Sequence, residues 1–219
     1  MTFENVDLAE IWRGTLDTLT MLGFSTLFTV IIGLPLGILL FLTSRGQLLD
    51  NRWFYAISSF IVNVLRSVPF IILMILLIPV TKMLVGTSLG VKGSIPPLVI
   101  GAAPFFARLV ETSLREVDKG VIEAAQSMGA SNWQIIRSVL LPESRPGLIA
   151  GITITTVALV SYTAMSGVIG GGGLGDLAIR YGYQRFQTDV MIVTVFILLV
   201  LVQILQTLGD RLVIKFSRK

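Results

Sequence analysis

Neither cysteine nor histidine occurs among the 219 residues. The first absence excludes disulfide staples and thiolate chemistry. The second excludes His-ligated metals and removes the commonest general base. Charge is scarce as well. Asp, Glu, Lys and Arg make up 14% of the chain, against roughly 25% in a soluble domain. Hydrophobic residues reach 53% and the mean hydropathy is +0.84, a membrane composition before any window is scanned. A secretory signal is not read at the N-terminus either. Glu4, Asp7, Glu10 and Asp17 face a single Arg13 ahead of the first apolar run, where a signal peptide would be basic. No Walker A sequence is present, so the chain lacks that device for cradling ATP phosphates and any ATP-derived energy comes from a separate subunit. The segment Gly170-Gly-Gly-Gly-Leu-Gly175 spells GxGxxG, but it follows an apolar span instead of a strand. It reads as a sharp backbone turn at the outer end of that span.

What the chain does have is long uncharged runs. Thr18 to Ser44 gives 27 positions without charge, Pro146 to Gly175 gives 30, and Val190 to Gly209 gives 20. Each meets the ~20 residues needed to cross the ~30 Å hydrocarbon core. Shorter runs of 15 residues at Ser67–Thr81 and Gly93–Ala107 extend past flanking cations that can snorkel. Five spans are expected, near 18–43, 61–83, 94–111, 147–170 and 190–213, in one transmembrane domain covering 1–219. Five crossings put the termini on opposite sides. Of the 17 Lys and Arg, 12 fall in 44–66, 108–146 and 211–219, the last including Arg218 and Lys219. The positive-inside rule then places the N-terminus outside and the C-terminus in the cytoplasm. Trp53, Phe54 and Tyr55 either mark an interfacial segment over 53–66 or belong to a longer second helix. Pro35, Pro69, Pro79 and Pro104 fall inside spans. Small residues four apart, Gly33/Gly37 and Gly147/Gly151, let helices approach closely, within one subunit or between two.

Between the third and fourth spans lies a polar knuckle, residues 118–142. Asp118 is placed to cap a helix over Lys119–Met128, and Gly129 to end it in a left-handed conformation. Ser131 and Gln134 form a capping box for a second helix that carries Ile135, Ile136, Val139 and Leu140 and stops before Pro142. Helix, glycine turn, helix is also the outline of a DNA-binding unit. The electrostatics oppose that use: Lys119, Arg137 and Arg145 are balanced by Asp118, Glu123 and Glu143, whereas nucleic acid needs a basic footprint. No nucleic-acid partner is expected.

Glu123-Ala124-Ala125, Gly129 and Val139-Leu140-Leu141-Pro142, at their spacing, resemble the EAA signature of permease subunits in binding-protein-dependent ABC importers. Asn63-Val-Leu-Arg66-Ser-Val-Pro69-Phe-Ile-Ile, Gly101-Ala-Ala-Pro104-Phe-Phe-Ala-Arg108, and Gly172-Gly-Leu-Gly175 followed by Tyr181-Gly-Tyr183, are similar to the methionine-importer permeases within that family. Val139 stands where the family usually has Ile.

The resemblance implies an all-α integral membrane fold of the type I importer permease kind: five transmembrane helices with a cytoplasmic coupling helix, in the bacterial inner membrane. It implies a homodimer, two cytoplasmic ATPase subunits that hold the ATP and Mg, and a periplasmic or lipid-anchored methionine-binding protein. The chain itself holds no cofactor, metal or catalytic residue, and its other contact is membrane lipid. The cargo it implies is methionine, L or D, with another amino acid or small polar solute, or a membrane-anchored helix-turn-helix regulator, as the alternatives. Glu123, Ala124, Ala125, Met128, Gly129 and Ala130 are the residues it assigns to ATPase coupling. Ala124 and Ala125 would keep one face small for a partner, and Glu123 either meets that partner or is a solvated helix charge. Asp176, Arg180, Tyr181, Tyr183 and Arg185 either meet a delivery protein or form a solvated loop. The fourth span is the most polar, with Thr153, Thr155, Thr156, Ser161, Tyr162, Thr163 and Ser166. Ser161, Tyr162, Met165 and Ser166 are the translocation-path candidates, against a plain packing role in which hydroxyls bond their own helix. No span has a central acidic residue of the kind a proton or sodium relay uses.

Overall fold

The structure, a computed structural model, describes residues 5–217, so Arg218 and Lys219 of the charge tally lie outside the described residues. Among the described residues there are helices, turns and no strand. The first helix, α1 (Leu8–Thr43), starts ten residues before the expected span because Asp7 caps it, its carboxylate accepting from the backbone N–H groups of Ala9 (2.8 Å) and Glu10 (3.3 Å). After α1 come α2 (Arg52–Ser67), α3 (Phe70–Leu76), α4 (Ile78–Val85) and α5 (Gly90–Arg115). The knuckle holds α6 (Lys119–Ser127), α7 (Asn132–Ile135), a π turn (Ile136–Leu140) and α8 (Leu141–Glu143). Then α9 (Arg145–Ser166), a short 3₁₀ turn, α10 (Gly173–Leu177), a second π turn (Ala178–Tyr183) and α11 (Thr188–Phe216) complete the chain.

Among the described residues, four stretches are long and apolar enough to cross a membrane: Leu8–Thr43, Gly90–Arg115, Arg145–Ile169 and Thr188–Phe216. A fifth crossing exists if the bent pair α2 and α3 counts as one. The continuous second helix expected over 61–83 is not found. The chain turns by 102° between α2 and α3. Val68 before the break is extended (φ −76°, ψ 126°), as a residue preceding proline prefers, and Pro69 heads α3. Pro79 falls in the first turn of α4, where its missing N–H costs nothing, so the proline starts a new helix instead of sitting inside an old one. Residues 53–66 therefore do not lengthen the second span. They form a separate helix with Trp53, Ile57, Phe60 and Ile61 exposed along one side.

The centre of the bundle is α5, with α1 and α9 against it. A Cβ on Gly37 would lie 2.5 Å from the Ala107 carbonyl oxygen and from Val110 Cβ, and one on Gly147 would lie 2.7 Å from Ser113 Oγ. Both small-residue pairs are thus used for packing inside one chain, each letting a helix backbone reach α5. The polar side of α2 is fastened to α5 through Glu111, which is 3% exposed. Its carboxylate meets Arg108 at 2.5 Å and Arg115 at 2.6 Å and accepts from the Tyr55 hydroxyl at 3.0 Å. Arg108 also donates to Asn63 Oδ1 (3.1 Å), to the Ser59 carbonyl (3.2 Å) and to the Ser59 hydroxyl.

Candidate functional site

The knuckle folds largely by local rules. Asp118 Oδ1 accepts from Gly120 N–H at 2.6 Å, starting α6. Gly129 has φ +79°, and an added Cβ there would meet nothing within 4 Å. The demand for glycine at that point is conformational, not steric. Ser131 and Gln134 complete the reciprocal capping box, the Ser131 N–H donating to Gln134 Oε1 at 2.8 Å. The second helix does not stop before Pro142, contrary to expectation. Its backbone widens into the π turn, in which the Leu141 N–H reaches the Ile136 carbonyl, and continues through Pro142 to Glu143. Widening the turn relieves the clash a proline ring otherwise makes with the carbonyl one turn back.

Ile122, Ala125, Ile135 and Leu140 bury themselves in a cluster with Phe41, Leu42, Phe106, Val110 and Leu114. The knuckle is rigidly seated on α1 and α5. Of the six coupling candidates, Glu123, Ala124, Met128 and Gly129 are exposed, Met128 at 81%, and Ala130 is half-buried. Ala125 is not on that surface. It faces its own chain, so the small outward face is Ala124 alone, and Ala125 is small because α6 lies close to its own core. The DNA-reading alternative gains no support, because Ile135 and Leu140 of the second helix are fully buried against the chain's own core.

The four translocation-path candidates do not share one face. Ser161 and Met165, four apart on α9, are exposed, and Tyr162 beside them stacks on Phe70 with ring centroids 4.3 Å apart and planes at 4°. Ser166 is fully buried and donates to the Thr163 carbonyl at 2.7 Å. A Cβ on Gly171 would lie 2.5 Å from its oxygen, so Ser166 serves the glycine turn. The threonines likewise bond back: Thr155 to Gly151 (2.7 Å), Thr156 to Ile152 (2.8 Å), Thr153 to Ile149 (2.9 Å) and Thr163 to Val160 (2.7 Å). Most of the polar sector of α9 is self-satisfied helix.

Tyr162, Phe70, Leu73, Gly101, Phe105, Leu65, Arg66 and Val68 line an open pocket of about 110 Å³ where α2, α3, α5 and α9 meet. The charge pattern places Arg66 at the cytoplasmic flank and marks nothing at Phe105. The signal was present, since both lie in the segments that carried the resemblance, but hydropathy alone does not fold Arg66 back alongside α5.

At the glycine turn, Thr18 Oγ1 accepts from the Leu174 N–H at 2.9 Å, tying α10 to α1. Arg180 pairs with Asp176 (3.1 Å) and Glu10 (3.4 Å), Tyr181 donates to Glu10 (2.9 Å), and the Arg180 and Arg185 guanidinia flank the Tyr181 ring at 4.8 and 4.7 Å. Tyr183 remains exposed. This loop is cross-tied to α1 and is not a plain solvated coil.

Comparison with known proteins follows the same lines. Residues 33–218 match the family model described as the binding-protein-dependent transport system inner membrane component. The chain is 55% identical over 208 residues to the methionine import system permease protein MetP of Bacillus subtilis, covering 95% of this chain and 94% of that one. It is 50% identical over 214 residues to the probable D-methionine transport system permease protein MetI of Pasteurella multocida, covering 96% and 99%. A solved structure of the MetNI methionine ABC transporter in an inward-facing conformation superposes with a TM-score of 0.94 at 46% identity, covering 97% of this chain and 100% of that one. With its seated knuckle and four to five apolar crossings, the chain belongs to the family of inner membrane components of binding-protein-dependent transport systems.

Proposed function

We propose that this chain is the permease subunit of an ATP-driven importer of methionine, in the L or D form. It works as a homodimer, with the N-terminus outside and the C-terminus in the cytoplasm. Two ATPase subunits, which hold the ATP and Mg, grip the two knuckles, and a periplasmic or lipid-anchored binding protein delivers the cargo to the outer face. The observation that carries this reading is the knuckle itself: Glu123, Ala124, Met128 and Gly129 stand exposed on a short helix whose opposite side, Ile122 and Ala125, is locked into the bundle core. Force applied to that surface reaches α1 and α5 through packed side chains instead of being lost in a flexible loop. A two-fold assembly presents two such surfaces and leaves the exposed Ser161–Met165 edge of α9 to line a path along the axis. The names of the relatives support methionine as cargo.

The test is uptake of labelled methionine into vesicles holding this chain, its ATPase and its binding protein, with other amino acids as competitors. ATP-dependent uptake that only unlabelled methionine suppresses is expected. Stronger competition by a different amino acid overturns the cargo and keeps the class of transporter.

A further inference from the structure

One guanidinium, exposed on the single chain, stands beside the middle of α5 without a carboxylate. Arg66 lies in the last turn of α2 and, among the described residues, takes part in none of the ion pairs. Its neighbours Arg108 and Arg115 share Glu111, whereas the Arg66 Cζ lies 6.0 Å from the centroid of the Phe105 ring. Phe105 is ten residues from the C-terminal end of α5, Arg115, which is about 15 Å along the axis at ~1.5 Å per residue. With Arg115 as the edge of the span, that level falls near the middle of a ~30 Å hydrocarbon core, where an ionised side chain is costly and is kept for a purpose. A cation–π contact at that distance offsets part of the cost and satisfies none of the five N–H donors.

Among the residues lining the pocket Arg66 is the sole charged one, and the rest of the wall is Phe70, Phe105, Tyr162, three aliphatic side chains and Gly101. A single cation beside an aromatic and aliphatic wall suits one negative charge attached to an apolar body. A phosphate dianion would ask for further cations. We propose that Arg66 receives the carboxylate of the transported amino acid, with Phe70, Phe105 and Tyr162 against its apolar side chain. This rests on the reading of the chain as an amino-acid importer and adds the place where the cargo pauses. The planar guanidinium offers two parallel N–H donors to the carboxylate, and the cargo supplies the counter-charge the protein omits. The exposed Ser161 and Met165 lie on the adjoining surface of α9, within a helical turn of Tyr162.

The experiment measures binding of labelled methionine and of methioninamide, which lacks the carboxylate, to the solubilised permease–ATPase complex without binding protein. Wild type is expected to prefer methionine by about tenfold. Arg66→Gln is expected to reduce that ratio to about one, and Arg66→Lys to retain an intermediate ratio. Co-elution with the ATPase reports that each variant is assembled. If Arg66→Gln fails to assemble, the Arg66→Lys ratio decides: a ratio equal to wild type overturns the pocket, and a reduced ratio supports it. An unchanged ratio in Arg66→Gln, or no preference in wild type, also overturns it. The cargo reading fails separately: if wild-type vesicles import a different amino acid, the same comparison with that amino acid and its amide is expected to show the Arg66 dependence, and its absence sinks the proposal.

Discussion

The knuckle around Gly129 and the turn around Gly170–Gly175 both reverse the chain with glycine, and they need it for different reasons. At Gly129 an added Cβ would meet open space, and only the left-handed backbone (φ +79°) excludes other residues. At Gly175 the backbone is right-handed helix, yet a Cβ would stand 2.4 Å from the Cα and the carbonyl oxygen of Ala164. One glycine answers a local demand, the other a tertiary one. The knuckle is a preformed device whose exposed surface is left free, while the Gly170–Gly175 turn is welded into α1 and α9 with little freedom of its own. A surface built to be moved by a partner has to be stiff inside and open outside, and the first region meets both conditions.

Substitutions sharpen the contrast. Gly175→Ala should be the most damaging, because backbone and not a movable side-chain tip blocks the new methyl. A loss at or beyond ~3 kcal/mol is expected, read as a lower yield of folded protein on detergent extraction and a lower melting temperature. Ile135→Ala, at a fully buried site under the knuckle, should cost about 2–4 kcal/mol. Because it loosens the seat of the proposed coupling surface, it should also lower cargo uptake per ATP hydrolysed. Gly129→Val should cost about 1–2 kcal/mol in local strain. The chain is expected to stay in the membrane while uptake is uncoupled from hydrolysis, and normal uptake at normal expression would contradict the coupling role. Ser131→Ala removes one half of the capping box and should cost about 1 kcal/mol, seen as faster hydrogen exchange confined to 131–135. If Gly129→Val proved as disruptive to folding as Gly175→Ala, the distinction between the two turns would fail.

The same distinction explains what the sequence disclosed. The caps at Asp118 and Ser131 and the left-handed Gly129 are set by partners within three residues or by the residue's own backbone, so spacing alone exposes them. The three longest spans follow from uncharged length. The 102° turn between α2 and α3 does not, because Pro69 and Pro79 in an apolar run are compatible with a kinked crossing as well as with separate helices. The Glu111 network was invisible for another reason: Tyr55, Ser59 and Asn63 reach Arg108 and Glu111 across 45 to 56 residues of chain, and no local pattern announces such a pairing. The hydroxyls of α9 show the limit of composition. Their number suggested a wet path, and their geometry shows most of them bonded to their own helix. Ala125 and Ser166 turn inward, which residue type and spacing do not disclose, since neither says which side of a helix faces the rest of the chain.

Met128 gives the sharpest probe of the knuckle, being exposed at the end of α6 in a chain without cysteine. A Met128→Cys variant can be probed with a membrane-impermeant thiol reagent in intact cells, and in inside-out vesicles stripped of ATPase and then reloaded with it. No labelling of intact cells is predicted, with full labelling of the stripped vesicles and at least tenfold protection when the ATPase is restored. Labelling from outside the cell, or labelling that the ATPase leaves unchanged, would contradict the claim that this surface is a cytoplasmic handle for the motor.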